Sequence, residues 1–175
     1  AKGYNSHAEG QYTEAKGDAS HAEGSSTVAS GASSHAEGSS TVASGASSHA
    51  EGSENKATNI GAHAEGVNSQ ANGIGSHAEG HNCVAGGDRS HAEGLGCITS
   101  GAMSHAGGNA CQASQSGAFL HGWELRDSRW YQAVFGLYNE VPSVDNGEQI
   151  IVGCGSSAAR ANCFVAGNSS TLGKY

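Results

Sequence analysis

Ser20-His21-Ala22-Glu23-Gly24-Ser25-Ser26-Thr27-Val28-Ala29-Ser30-Gly31-Ala32-Ser33 is one complete unit of this chain, and its reading decides the fold. Its opening phrase, Ser-His-Ala-Glu-Gly, starts at Ser6, Ser20, Ser34, Ser48, Ser76 and Ser90. It recurs as Ala62-His63-Ala64-Glu65-Gly66, and as Ser104-His105-Ala106-Gly107-Gly108 with the glutamate lost. The step is 14 residues each time, without insertion. A fixed short period makes each unit one rung of a stack, stable only against its neighbours. Within a rung, His21-Ala22-Glu23 and Thr27-Val28-Ala29 alternate with the period of a strand, and Gly24 and Gly31 close them. A helix needs a longer run than these glycines leave. Equivalent segments recur in one direction, so the strands stack in parallel.

Columns sort the faces. The positions of Ala22 and Ala29 are Ala in nearly every rung, and that of Thr27 runs Thr13, Thr41, Asn55, Ser69, Cys83, Cys97 and Cys111. These small columns are expected inside a flattened coil. The column of Val28 scatters through Glu14, Val42, Lys56, Gln70, Val84, Ile98 and Gln112, as solvent tolerates. The three cysteines read as small buried hydrophobes, because stacked parallel side chains make poor disulfide geometry.

Two outward columns do not scatter. His7, His21, His35, His49, His63, His77, His91 and His105 form one line, and Glu9, Glu23, Glu37, Glu51, Glu65, Glu79 and Glu93 form another two residues along. A face that stays constant is expected to pack against something with the same pitch, and another copy of the chain is the simplest such partner. The expected interface therefore comprises His21, Glu23, His35, Glu37, His49, Glu51, His63, Glu65, His77, Glu79, His91 and Glu93. Seven carboxylates about 4.8 Å apart repel. Charged histidines beside them would offset this, with His pKa raised and Glu pKa depressed; the competing expectation is a neutral histidine buried at the axis as a hydrogen-bond donor, with a lowered pKa.

Residues 1–117 read as the regular roll and 118–175 as a closing section of degenerate rungs. Phe119 falls at the His position and Phe135 at the Glu position, so both join the expected interface. Large apolar residues gather there: Trp123, Leu125, Trp130, Tyr131, Leu137 and Tyr138. Residues 139–148, with Pro142 and Asp145-Asn146-Gly147, read as a loop inserted between rungs. Ile150-Ile151-Val152-Gly153 and Phe164-Val165-Ala166-Gly167 then restore the 14-residue step.

Composition narrows the function. With 28 Gly, one Pro and 6% aromatics, the core is narrow and strictly periodic, which excludes collagen and argues against disorder. A net charge of −8 with eight Lys and Arg argues against nucleic acid. No apolar run is long enough to insert in a membrane. The start at Ala1 reads as an excised or processed chain. One His–Glu pair copied along a flat ladder is unlike the single asymmetric constellation of a catalytic site, so no enzyme and no cofactor are expected. The competing readings are a metal- or ion-binding ladder, for which the eight histidines are the weak candidates, and an ice-binding solenoid, which the mixed Val28 column disfavours.

The rung, with its small interior, Gly turns and period of 14, resembles the head repeats of trimeric autotransporter adhesins of the YadA type. Asn162-Cys163-Phe164-Val165-Ala166-Gly167 is close to that family's signature strand. The Ser-His-Ala-Glu-Gly form looks like repeats in surface and phage tail-fibre proteins of Gram-positive bacteria and their viruses. The resemblance implies an all-β, left-handed parallel β-roll, three chains to a head, with the first strand facing the threefold axis. It also implies an extracellular place, on a cell surface or a virion tail, and a role in attachment to a receptor it does not identify. In the adhesins the axis-facing strand carries aliphatic residues where this chain has His and Glu.

Overall fold

The computed structural model describes residues 1–127, 130–139, 149–155, 157–158, 163–168 and 171–172. The chain is an all-β parallel solenoid of 14-residue rungs, with no helix among the described residues. None there is long and apolar enough to cross a membrane. The first segments of the rungs, from His7–Gln11 to Cys163–Asn168, form a 12-stranded parallel sheet in chain order. The second segments, from Glu14–Ala15 to Gln112–Ala113, form an eight-stranded parallel sheet opposite. Ser157–Ala158 and Thr171–Leu172 make a further pair. Register is by identity: His7 pairs with His21, Ala8 with Ala22, Glu9 with Glu23.

The interior is built from the columns expected. Ala22, Ala29 and their equivalents are buried, as are Thr27, Thr41, Asn55, Ser69, Cys83, Cys97 and Cys111, and these three thiols are free. A fourth buried column is the serine that opens each phrase. Ser20, Ser34, Ser48, Ser76, Ser90 and Ser104 each donate their hydroxyl to the carbonyl of the glycine three residues earlier, at 2.6–2.8 Å. That bond ties down the turn entering the rung and satisfies a buried hydroxyl. Where Ala62 and Ala118 replace the serine, the glycine is also gone, to Asn59 and Gln115. Asn55 performs the same service for the second turn, donating to Gly66 O at 2.6 Å while its Oδ1 accepts from Ser69 N.

In the closing section the phase holds and the core swells. Leu120, Val134, Ile151 and Val165 follow the Ala22 column, and Leu125 follows Thr27. Leu125 thus separates from the other large apolar residues, which stay outside. Gly136 pairs with Gly153, a step of 17 residues, so one turn is three residues longer. Asn139, placed by sequence in the inserted loop, is buried in the Thr27 column and donates to Phe135 O and Gly153 O, at 2.6 and 2.9 Å. The remainder of that loop (140–148, with Pro142 and Asp145 to Gly147) and Asn162 lie outside the described residues.

Two demands fix the phrase glycine. At Gly66 φ is +92°, and a Cβ would stand 2.1 Å from the carbonyl oxygen of Gly80 in the next rung. Two corner columns also hold φ near +55°, but with ordinary residues such as Ser47, Arg89 and Met103. Each of these carries the steric cost of the left-handed conformation, about 1–2 kcal/mol. Gly66→Ala is therefore expected to lower stability by more than about 2 kcal/mol, while Ser47→Gly raises it by about 0.5–1 kcal/mol. Thermal and denaturant unfolding of the two variants check both signs.

Candidate functional site

Parallel in-register pairing sets each histidine directly over the previous one, and the rings respond by stacking. From His21 to His91 successive imidazole centroids are 4.7–4.8 Å apart with planes within 6° of parallel. The stack is bounded by edge-on contacts, 67° between His7 and His21 and 84° between His91 and His105. Each glutamate reaches across to the histidine of the following rung. Glu23 Oε1 lies 3.5 Å from His35 Nε2, and the same pair recurs up to Glu93 and His105 at 3.4–3.6 Å. Only His7 and Glu9 pair within one rung.

These distances are long for hydrogen bonds, and the buried Nε2 atoms of His21, His35, His49, His63, His77, His91 and His105 have no hydrogen-bond partner. Both side chains of each pair are about one-third exposed. Such pairs contribute about 0–1 kcal/mol each, so the ladder holds its shape chiefly through sheet register and ring stacking.

All the residues expected at an interface share this one outer face. Phe119 follows His105 in its column and lies flat against it, centroids 4.4 Å apart and planes at 7°. Phe135 occupies the Glu column and meets Phe119 at 5.5 Å. Ile150, Val152 and Phe164 carry the same columns onward and stand exposed.

His121 was not singled out by sequence. It takes the Glu column one rung after Gly107, and its Nδ1 is 3.6 Å from Glu93 Oε1. Its signal was available in the arithmetic of the columns, 28 residues beyond Glu93 and beside the one phrase that lost its glutamate.

At the end of the stack the electrostatics favour the neutral histidine of the two expectations. Burial pushes His105 down to about 4, helped by the neighbouring His91 and His121 and opposed by Glu79. His105 is neutral at pH 7. The sequence matches no protein-family model and no curated protein.

In the unfolded chain His105 titrates near 6.5. Between that value and its folded value of about 4, the unfolded chain binds more protons. The contribution of His105 is thus complete above about 6.5 and lost as pH falls toward 4. Melting temperatures in chelator-treated buffer are expected to decline over that window. His105→Phe, which extends the Phe119 stack, should shrink the decline, whereas an unchanged slope would count against a buried neutral ring.

Proposed function

We propose that the chain is the non-enzymatic head of an extracellular homotrimeric fibre, a left-handed roll used for attachment at a cell surface or virion tail. The observation that carries this reading is the outer face of the long sheet. Beyond the polar ladder its His and Glu columns carry Phe119, Ile150, Val152 and Phe164, all 39–61% exposed in a single chain. A contiguous apolar stripe of this kind marks an interface. The partner must present features at the pitch of the rungs, and a copy of the same chain does so at every level. Closed threefold symmetry with the first strand at the axis is what the resemblance to trimeric adhesin heads supplies.

The non-enzymatic part rests on repetition, since one half-exposed pair is copied rung after rung. Attachment would fall to the aromatic side chains outside the ladder. Trp130, Tyr131 and Tyr138 stand 56–66% exposed around the closing section. Their flat, amphipathic rings suit a saccharide or protein surface.

Light scattering is expected to give three times the 17.4 kDa of one chain. Phe135→Ala should weaken assembly more than His49→Ala, because burying a phenyl ring contributes about 2 kcal/mol and a half-exposed ion pair less. A monomer mass, or the reverse ranking in a dissociation assay, would remove the trimer. Binding of the fluorescent head to a glycan array and to whole cells, lost on Trp130→Ala with Tyr131→Ala, checks attachment.

A further inference from the structure

We propose that Glu93, His105 and His121 form a binding site for a divalent transition-metal ion, with Zn²⁺ the best match. This site lies where the ladder ends and draws one ligand from each of three successive rungs. Its donor atoms, Glu93 Oε1, His105 Nε2 and His121 Nδ1, all lie within 4.8 Å of one another. The carboxylate oxygen is 3.5 Å from His105 Nε2 and 3.6 Å from His121 Nδ1. Donors on a tetrahedral zinc at 2.0–2.1 Å are separated by about 3.4 Å, so the two distances from the carboxylate fit with little adjustment. Two imidazoles and one carboxylate leave a coordination position open, the ligand set of a site that binds water or an exogenous group.

A second, independent observation is Gly107. A Cβ placed on it would stand 2.5 Å from His121 Nδ1, 2.8 Å from Glu93 Oε1 and 3.0 Å from His105 Nε2. The three donors converge on the one point that any other residue would fill. Gly107 needs no special backbone conformation, for its φ lies outside the left-handed range. Glu93, its partner in register, holds a side chain at the same position of the rung. The loss of the glutamate at 107 is therefore what opens the space, and His121 in the next rung turns into it.

The surroundings hold the donors in place. His105 lies flat on Phe119, and its Nε2 is buried without a hydrogen bond. Elsewhere in the ladder consecutive rings lie 4.8 Å apart with parallel planes, and a glutamate fills the neighbouring column at every rung. Here His105 is rotated 84° from His91 and the pattern is broken. An ion at this point would staple the seventh, eighth and ninth rungs, where the polar ladder gives way to the apolar section. All three ligands come from one chain, so the site does not depend on the trimer.

Titration of the full chain with Zn²⁺, followed by calorimetry, is expected to show one tight site per chain. Co²⁺ should give the intense visible absorption of a four-coordinate site. His121→Ala should abolish that site, and Gly107→Ala should weaken it about tenfold or more while leaving the fold intact by circular dichroism. His63→Ala, in the regular ladder, should leave it unchanged. Added Zn²⁺ should raise the melting temperature of the wild type but not of His121→Ala. Absence of binding, undiminished binding in His121→Ala, or a stoichiometry that follows the number of His–Glu rungs would overturn the proposal.

Discussion

Every structural feature of this chain answers to the distance between rungs. Adjacent strands are joined by backbone hydrogen bonds of about 2.8–2.9 Å, such as His35 N to Ser48 O, and the register never slips. Each residue therefore lies on its own copy, and any property of a position is multiplied along the rod. Steric demands multiply first: the phrase glycine must accept a carbonyl 2.1 Å from where its Cβ would be, at Gly10, Gly24 and Gly38 alike. Chemical demands follow. A buried hydroxyl needs a partner; the phrase serine finds one in a turn carbonyl, as in Ser34 to Gly31 O, whereas the buried Thr27 hydroxyl has none.

Much of this was legible from the spacing. The two sheets, the small interior columns and the outward His and Glu lines follow from period and alternation, as does the phase of Phe119 and Phe135 beyond the last regular phrase. What escaped is backbone conformation and hydrogen bonding, which residue type alone does not print. Arg89, Met103 and Ser47 vary freely, yet all hold the left-handed corner, because their side chains point outward while the backbone bears the cost. Asn139 looks like a loop residue beside Pro142 and is instead a buried tie between rungs, equivalent to Asn55. The serine of the phrase was seen as pattern without a purpose, since a buried hydroxyl and an exposed one look alike in sequence.

The His–Glu face shows the same limit at the level of side chains. Column positions predicted neighbours but not which carboxylate meets which imidazole, and the answer is the following rung, not the same one. That choice follows from geometry. Register sets His35 directly over His21, so Glu23 meets His35 on the diagonal, its Oε1 3.5 Å from Nε2. The charged ladder answers repulsion among the glutamates, and the neutral one answers burial of the imidazoles. Stacked imidazolium rings at 4.8 Å would repel one another equally, and at His105 burial and two neighbouring imidazoles decide the matter in favour of the neutral ring.

In the proposed trimer, a face whose His–Glu ladder gives way to apolar residues would divide the labour of association. An apolar stripe running the whole length would bury more area, at about 25 cal/mol per Å². It would also leave each newly made chain with a long exposed hydrophobic sheet, open to misregistered pairing with any neighbour. His–Glu pairs about one-third exposed would add little affinity and, in such an assembly, would favour only partners at matching height. The few rungs carrying Phe119, Phe135, Ile150 and Phe164 would then supply the energy at one end, where register would be set once and transmitted along the rod. Such an arrangement needs a rigid junction, since a register error there would misplace every rung behind it. The junction is where Gly107 replaces glutamate, His105 turns onto Phe119 and His121 reaches back to Glu93, so that three consecutive rungs are tied together by side chains as well as by backbone.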